Sequence, residues 1–283
     1  MTKIISPAIR YHGAKFRLAP WIMQFFPIHT CYVEPYGGAA GVLLQKPRVY
    51  AEVYNDLDGD IVNFFRVIRN ESTRARLLEA LTLTPYHRDE FELAWKPTRN
   101  RVERARRVCV RAQMGFGSAG ATKGSTGFRI DTKREYGTAQ HLWSAYPAAV
   151  AAAGERFTGV LIENRPAIEV MQQHDAPTTI HFVDPPYVHS TRVMGGNRSY
   201  RHEMINREHA DLLQVLITLR GMVVLSGYSN AMYDEILAGW VRHETSSRIS
   251  AGRGTALRTE CVWLNPLCQK MLDAERVQTR LFA

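Results

Sequence analysis

Short apolar runs, many of them rich in β-branched residues, alternate with segments of helical periodicity along the 283-residue chain. The apolar runs predict strands at residues 31–34, 49–54, 160–163, 179–183, 222–226 and 261–264. Apolar residues spaced three and four apart predict helices at residues 58–69, 167–173, 206–219 and 231–238. Strands that alternate with helices in this way predict an α/β sheet with crossover helices.

The middle third of the chain departs from this alternation. Residues 72–83, 88–95, 101–114 and 138–156 all have helical periodicity, and no strand pattern separates them. We therefore expect a mainly helical domain, residues 63–155, inserted into an α/β domain formed by residues 1–62 and 156–283. Residues 115–127 hold five glycines, which indicates a mobile loop that either becomes ordered on a ligand or is a plain connection.

Positive charge is concentrated in the same middle third. Residues 63–154 hold sixteen Lys and Arg against eight Asp and Glu, whereas residues 155–283 hold fourteen of each. Such a block fits either a surface that neutralises nucleic-acid phosphates or a solvated helix face. On one helix, the arginines of residues 101–111 would be spread over more than half the circumference, so some must be solvated or paired, for example Arg107 with Glu103.

Composition narrows the class of protein further. No apolar run approaches the roughly 20 residues of a membrane span, and the first residues do not resemble a secretion signal, so we expect a cytoplasmic protein. The four cysteines have neither the spacing of a zinc site nor that of a disulfide framework. They are expected to be free, mostly buried thiols, and no metal site is predicted.

The first candidate motif is a strand that ends in a glycine-rich turn, residues 32–41 with the sequence YVEPYGGAAG. Glycine lets the backbone approach a ligand closely, and we expect the turn to open a helix at residues 42–45 whose N-terminus favours a negative group. The turn lacks the G-x-G-x-x-G spacing of dinucleotide sites. The Glu34 carboxylate instead favours the cationic groups of S-adenosylmethionine, and Asp56 ends the next strand, where an acid commonly holds ribose hydroxyls.

The second motif is a strand that enters an acidic diproline turn, residues 180–187 with the sequence IHFVDPPY. The two prolines remove backbone donors and stiffen the chain, which leaves the Pro185 carbonyl as a free acceptor. Asp184 and this carbonyl would accept both hydrogens of an exocyclic amine, and the ring of Tyr187 would stack on the base. A purely structural Asp-Pro-Pro turn is the alternative.

With these motifs in this order, the chain resembles the Dam-type adenine DNA methyltransferases of bacteria and their phages. Residues 10–15 (RYHGAK) resemble the N-terminal element of that family, and residues 225–229 and 258–263 resemble its later core strands. The resemblance implies a Rossmann-like S-adenosylmethionine-dependent sheet with an inserted, mainly helical target-recognition domain at residues 63–155. It also implies direct methyl transfer to the amino nitrogen of an adenine flipped out of double-stranded DNA.

The resemblance assigns roles residue by residue. The implied catalytic residues are Asp184, Pro185, Pro186 and Tyr187. The implied cofactor-binding residues are Tyr11, Gly13, Lys15, Glu34, Pro35, Tyr36, Gly37, Gly38, Gly41, Asp56, Asn164 and Arg165. Lys15 is expected near the cofactor carboxylate, while Asn164 and Arg165 stand where the family usually has an acid near the adenine ring. The expected DNA contacts are Arg101, Arg104, Arg107, Arg111, Lys123, Arg129 and Arg192.

Three other functions fit parts of this pattern. A similar turn serves transfer to the amino nitrogen of cytosine, although there Ser is more usual than Asp at position 184. Methylation of a protein or RNA amide would more usually have Asn at that position, and a DNA-binding module without catalysis is the third alternative. A homodimer on a palindromic site and a restriction endonuclease partner are both compatible with the sequence.

Overall fold

A computed structural model describes residues 4–117, 119–121, 126–130, 138–191, 200–251 and 254–281. These residues form one seven-stranded sheet with the strand order β3-β2-β1-β4-β5-β7-β6. The strands are β1 (Cys31–Glu34), β2 (Ala51–Asn55), β3 (Leu161–Glu163), β4 (Thr179–Val183), β5 (Met222–Gly227), β6 (Val241–Ala251) and β7 (Gly254–Leu264). The first five are parallel to one another, whereas β7 is antiparallel to β5 and β6. The sheet confirms the predicted Rossmann-like methyltransferase class.

All six predicted strands are present, but the sequence pattern missed β6 and the first seven residues of β7. Residues 245–259 contain six Ser or Thr, three Arg and no Asp or Glu, so they lack the apolar alternation that identifies a half-buried strand. The reason lies in the pairing. Residues 261–264 of β7 pair with β5, whereas residues 254–260 pair with β6 alone.

The described residues also form ten α-helices. They are α1 (Ala19–Ile22), α2 (Gly59–Arg69), α3 (Glu71–Leu83), α4 (Arg88–Leu93), α5 (Arg101–Met114), α6 (Ala139–Phe157), α7 (Ala167–Gln173), α8 (Asn206–Leu216), α9 (Ala231–Ile236) and α10 (Pro266–Leu281). Sequence periodicity did not predict α1, which is a single turn, or α10, which buries only a narrow stripe that includes Cys268 and Leu272. None of these helices is long and apolar enough to cross a membrane.

The predicted helix at residues 42–45 is wrong, because this stretch is a succession of turns. The Leu44 amide donates to Ala40, four residues back, while the Gln45 amide donates to Val42, three residues back. Ala40 has a φ of 54°, in the left-handed region that a regular helix excludes. Because Ala40 precedes the stretch and Pro47 follows it, residues 42–45 do not form the regular series of hydrogen bonds of an α-helix.

The helices α2 and α5 each begin at a capping side chain. Asp58 Oδ1 accepts the Asp60 amide at 2.9 Å at the start of α2. Asn100 Oδ1 accepts the amides of Val102 and Glu103, at 3.0 and 3.1 Å, at the start of α5. Such side chains satisfy amides that a helix N-terminus leaves unpaired, so these starts lie close to the predicted positions.

The central helices share one apolar core with the sheet. Phe65 of α2 and Phe157 of α6 stack with ring centroids 4.3 Å apart, and Tyr54 of β2 lies 4.7 Å from Phe65. A second apolar cluster includes Val183, with residues of α7, α8 and α9. The inserted domain at residues 63–155 stays a prediction, and its helices pack on the sheet through the first core.

Strands β1, β2 and β4 end at the same edge of the sheet, because they are parallel. The order of strands places β2 on one side of β1 and β4 on the other, so the chain reverses its winding direction between β1 and β4. Ligands of open α/β sheets bind at the carboxyl ends of the strands beside such a reversal. Pro35, Asp56 and Asp184 directly follow these three strands, which brings both sequence motifs to one place.

Candidate active site

A cleft of about 290 Å³ opens at this edge of the sheet. It is lined by twelve residues that were predicted for cofactor binding or catalysis: Tyr11, Gly13, Lys15, Glu34, Pro35, Tyr36, Gly37, Gly38, Gly41, Asp56, Asp184 and Pro186. The cleft is also lined by residues that were not predicted for cofactor binding or catalysis. They include residues 166–168 and 202–204, with Tyr200 and two acidic residues of α8, Glu208 and Asp211.

Close contacts require the glycines of the turn after β1. A Cβ atom added at Gly37 would lie 2.1 Å from the ring of Tyr54, and one added at Gly41 would lie 2.7 Å from the amide nitrogen of Phe16. Gly38 has a φ of 48°, a conformation that residues with side chains rarely adopt. The turn can therefore keep this conformation and packing only if these positions stay glycine.

Asp56 is held at the mouth of this turn by two backbone amides. Its Oδ2 accepts the Gly38 amide at 2.8 Å, and its Oδ1 accepts the Asp58 amide at 2.7 Å. Burial raises the pKa of Asp56 to about 6, although these amide hydrogen bonds oppose the shift. Its carboxylate thus faces the cleft in a fixed orientation, as an acceptor for ligand hydroxyl groups would.

Glu34 ends β1 as an almost fully buried acid. Tyr32 Oη donates to Glu34 Oε2 at 2.7 Å, and the Leu43 amide donates to the same oxygen at 3.1 Å. Burial raises the pKa of Glu34 to about 8, which favours its protonated form. A cationic group bound beside it would favour the ionised form.

Lys15 joins the N-terminal segment to the diproline turn. Its Nζ lies 2.9 Å from Asp184 Oδ1, donates to the Gly13 carbonyl at 3.0 Å and stands 4.6 Å from the centroid of the Tyr187 ring. With 7% of its surface exposed, Lys15 is paired with Asp184 and lines the cleft, and its position near the cofactor carboxylate stays a prediction. Burial raises the pKa of Asp184, and the Lys15 ammonium opposes this shift.

The rest of the diproline turn is also fixed. Among the described residues, none donates a backbone hydrogen bond to the Pro185 carbonyl, and its role as an acceptor for an amine stays a prediction. Tyr187 Oη donates to Glu260 Oε2 at 2.8 Å and lies 3.2 Å from Ser226 Oγ. The sequence motifs singled out neither Glu260 nor Ser226 as site residues, because each lies more than 35 positions from Asp184 and meets it only through the fold.

Asn164 and Arg165 do not line the cleft, and their side chains are engaged beside it. Asn164 Nδ2 donates to the Asp56 carbonyl at 2.7 Å. The Arg165 guanidinium pairs with Glu169 at 3.0 Å, and its backbone amide donates to Asn55 Oδ1 at 3.0 Å. In this structure Asn164 therefore supports the loop that carries Asp56.

The arginines predicted to contact DNA fall into two groups. Arg101 is exposed, and 41% of the Arg104 side chain is exposed although its Nε lies 2.5 Å from Asp60 Oδ1. Arg107 and Arg111 are largely buried: Arg107 pairs with Glu103 at 2.6 Å, as its spacing predicts, and Arg111 pairs with Asp60 at 2.9 Å. Arg129 is buried as well. Lys123 and Arg192 lie outside the described residues.

Comparison with known proteins agrees with this geometry. Residues 11–248 match the family model of D12 class N6 adenine-specific DNA methyltransferases. No curated protein matches the chain. Among solved structures, precorrin 8W decarboxylase of Methanobacterium thermoautotrophicum is similar over 88% of each chain, at 12% identity and a TM-score of 0.32, which is too low to carry an argument. The family model covers most of the chain, including both motifs and the cleft, and the chain belongs to the D12 class N6 adenine-specific DNA methyltransferase family.

Proposed function

We propose that the chain binds S-adenosylmethionine in this cleft and methylates the amino nitrogen of an adenine that has been flipped out of double-stranded DNA. The observation that carries the proposal is that one cleft is lined both by groups suited to a nucleoside cofactor and by a carboxylate suited to an exocyclic amine. The glycine turn and Asp56 form one wall, and Asp184 lies on the adjoining strand end. A nucleoside cofactor and an exocyclic amine can therefore meet there.

The chain's own groups suit that cofactor. Asp56 offers fixed carboxylate oxygens for ribose hydroxyls, and Gly37 and Gly41 let the turn pack closely against Tyr54 and Phe16. The buried Glu34 carboxyl would be ionised by a neighbouring cation, which the amino and sulfonium groups would provide. When bound, S-adenosylmethionine supplies a methyl group on positively charged sulfur, which departs as a neutral thioether after transfer.

On the acceptor side, Asp184 and the Pro185 carbonyl would hold the two hydrogens of the adenine amine. Asp184 forms an ion pair with Lys15 and also accepts a hydrogen bond from the Ser226 hydroxyl, and both contacts hold its carboxylate in place for the amine. Two fixed acceptors draw the nitrogen toward tetrahedral geometry, so that its lone pair is available to the methyl carbon. Most of the rate gain then comes from positioning and preorganised charge, since flipping the base costs only a few kcal/mol.

The proposed DNA-binding surface is the exposed part of α5, together with the neighbouring helices of residues 63–155. Arg101 and the outer part of Arg104 are free to meet phosphates, whereas Arg107 and Arg111 hold the segment together through Glu103 and Asp60. Residues 63–155 would thus act as the target-recognition domain. Electrostatic binding of this kind does not depend on base sequence.

Replacing Asp184 tests the proposal. In single-turnover assays with excess enzyme, Asp184→Ala should transfer no detectable methyl group to duplex DNA, while its DNA affinity stays within a few-fold of wild type. Asp273→Ala is the matched control, because Asp273 is 57% exposed on α10 and lies outside the cleft. An Asp184→Ala enzyme that still methylates DNA at a substantial rate would refute the assignment.

A further inference from the structure

Glu260 lies in the segment at residues 258–263 that the sequence suggested only as a core strand. It is 6% exposed and pairs with Thr245 across the two-stranded part of the hairpin. Gly227, the last residue of β5, pairs with Cys261, so Glu260 is the first residue of β7 beyond the carboxyl end of that strand. This brings a buried carboxylate to the edge of the sheet where the diproline turn lies.

The groups that donate to Glu260 are the hydroxyls of Tyr187, Ser247 and Tyr228. Tyr187 Oη donates to Oε2 at 2.8 Å, and Ser247 Oγ donates to Oε1 at 3.4 Å. Burial raises the pKa of Tyr187 well above its ordinary value, and the carboxylates of Asp184 and Glu260 add to the shift. The Tyr187 hydroxyl therefore stays protonated and donates, and a hydrogen bond to a carboxylate is about twice as strong as one between neutral groups.

The same tyrosine is held from a second direction. Lys15 Nζ lies 4.6 Å from its ring centroid and 2.9 Å from Asp184 Oδ1, while the Tyr228 ring packs edge-on with centroids 4.6 Å apart. The turn from Asp184 to Tyr187 is thus fixed at its first residue by Lys15 and at its last by Glu260. Two prolines stiffen the residues between them.

We propose that Glu260 is a positioning residue for methyl transfer, which acts through the Tyr187 hydroxyl to hold Asp184 and the Pro185 carbonyl where they accept the target amine. The inference rests on the proposed function, because it assigns the diproline turn to the transfer step. Glu260 touches neither substrate nor cofactor in this account. It acts on the rate of transfer and leaves cofactor affinity alone.

A second consequence follows from charge. The charged groups that act on Asp184 are Lys15, which favours its ionised form, and Glu260, which disfavours it; Asp184 in turn raises the pKa of Glu34 at the end of the neighbouring strand. Removing the charge of Glu260 therefore lowers the pKa of Asp184. Since the ionised form of Asp184 is the active one, the acid limb of the rate profile moves to lower pH.

Four variants test the inference: Glu260→Leu, Glu260→Gln, Tyr187→Phe and the double variant Tyr187→Phe with Glu260→Leu. Methyl-transfer rates are measured in single turnover at saturating S-adenosylmethionine, and the affinity for S-adenosylhomocysteine is measured by calorimetry. Glu260→Leu should lower the rate by about 30-fold or more, since small misplacements of reacting groups can cost about 100-fold. Its affinity for S-adenosylhomocysteine should stay within about 3-fold of wild type, because Glu260 does not reach the cofactor cleft.

Glu260→Gln retains an acceptor for the Tyr187 hydroxyl, so its rate should stay within about 5-fold of wild type while the acid limb moves to lower pH. Once Tyr187 is Phe, adding Glu260→Leu should change the rate by less than about 3-fold, because both act through one hydrogen bond. The control is Glu244→Leu on the partner strand, where Glu244 is 45% exposed and pairs with Arg242. It should behave as wild type.

The inference is overturned if Glu260→Leu transfers methyl groups at the wild-type rate, if its only defect is cofactor affinity, or if the effects of the two substitutions multiply. Should Glu260→Leu fail to fold, Tyr187→Phe decides, because it removes the same hydrogen bond: a wild-type transfer rate in that variant overturns the inference. If the wild-type enzyme methylates adenine and the Glu260 variants do so equally well, only this inference is refuted. Absence of adenine methylation by wild type sinks the proposed function instead.

Discussion

Asp60 holds three arginines together, and replacing it should measurably destabilise the fold. Its carboxylate lies 2.5 Å from Arg104 Nε, 2.9 Å from Arg111 Nη2 and 3.1 Å from Arg201 Nη2. Arg104 and Arg111 belong to α5, whereas Arg201 lies beside residues that line the cleft. Asp60 therefore ties the proposed recognition segment to the wall of the cofactor site.

The size of the effect follows from the pKa of Asp60. Burial alone would raise this pKa, but hydrogen bonds from Arg104 and Arg111 lower it from 3.8 to about 2. At roughly 1.4 kcal/mol per pKa unit, the ionised carboxylate contributes about 2 kcal/mol to the free energy of unfolding. Because the folded pKa is depressed, this stabilisation is present above about pH 4, falls to about half near pH 3 and is lost as the pH drops through 2.

Urea denaturation of wild type and Asp60→Asn is the assay. At pH 7 the variant should lose about 2 kcal/mol or somewhat more, because it also leaves Arg111 buried with one partner fewer. The difference should shrink as the pH is lowered from 4 toward 3. The control is Asp89→Asn, whose carboxylate is 85% exposed and should contribute less than about 0.5 kcal/mol.

Two results would refute this reasoning. One is a loss at pH 7 no larger than that of Asp89→Asn, which would mean that the three contacts contribute nothing net. The other is a difference between Asp60→Asn and wild type that stays constant from pH 7 to pH 3, which would mean that ionisation of Asp60 is not its source.

Three further predictions concern ligand binding. Asp56→Ala should weaken S-adenosylhomocysteine binding about 10-fold or more in calorimetry, since hydrogen bonds to charged groups contribute about 1.5–3 kcal/mol. Its DNA affinity should stay within a few-fold of wild type. An equal loss of both affinities would contradict the placement of Asp56 in the cofactor site. Gly37→Ala should abolish S-adenosylhomocysteine binding, because its Cβ would lie 2.1 Å from a buried ring, whereas Gly239→Ala, with nothing within 4 Å, should leave it unchanged. Arg101→Gln should weaken DNA binding and flatten its logarithmic salt dependence by about 0.9, whereas Arg111→Gln should mainly lower the melting temperature; the reverse pattern would exclude α5 as the DNA-binding surface.

The strands and both motifs could be predicted because local pattern determines them. A buried parallel strand such as β4 needs a continuous apolar run, and its carboxyl end coincides with the start of the diproline turn. Knowing that β1 and β4 are parallel is then enough to bring Glu34 and Asp184 to one edge. The capping residues Asp58 and Asn100 likewise mark helix starts in the sequence itself.

The features that the sequence did not predict depend on contacts between distant segments. The outer half of the β6–β7 hairpin pairs only with itself, so nothing in its composition distinguishes it from a loop. The partner of Lys15 could not be known before the N-terminal segment was packed against Asp184. The charge count of the middle third could not separate exposed Arg101 from Arg111, because the acid that pairs with Arg111 lies 51 positions away.

The central claim is that this chain methylates the amino nitrogen of adenine in duplex DNA. The direct measurement is to incubate the wild-type protein with unmethylated duplex DNA and S-adenosylmethionine carrying a deuterated methyl group, digest the DNA to nucleosides and identify the labelled species by mass spectrometry. We predict deuterated N6-methyladenine as the labelled nucleoside. Label on the amino nitrogen of cytosine, or no label in DNA from an enzyme that binds both the duplex and S-adenosylhomocysteine, would contradict the account.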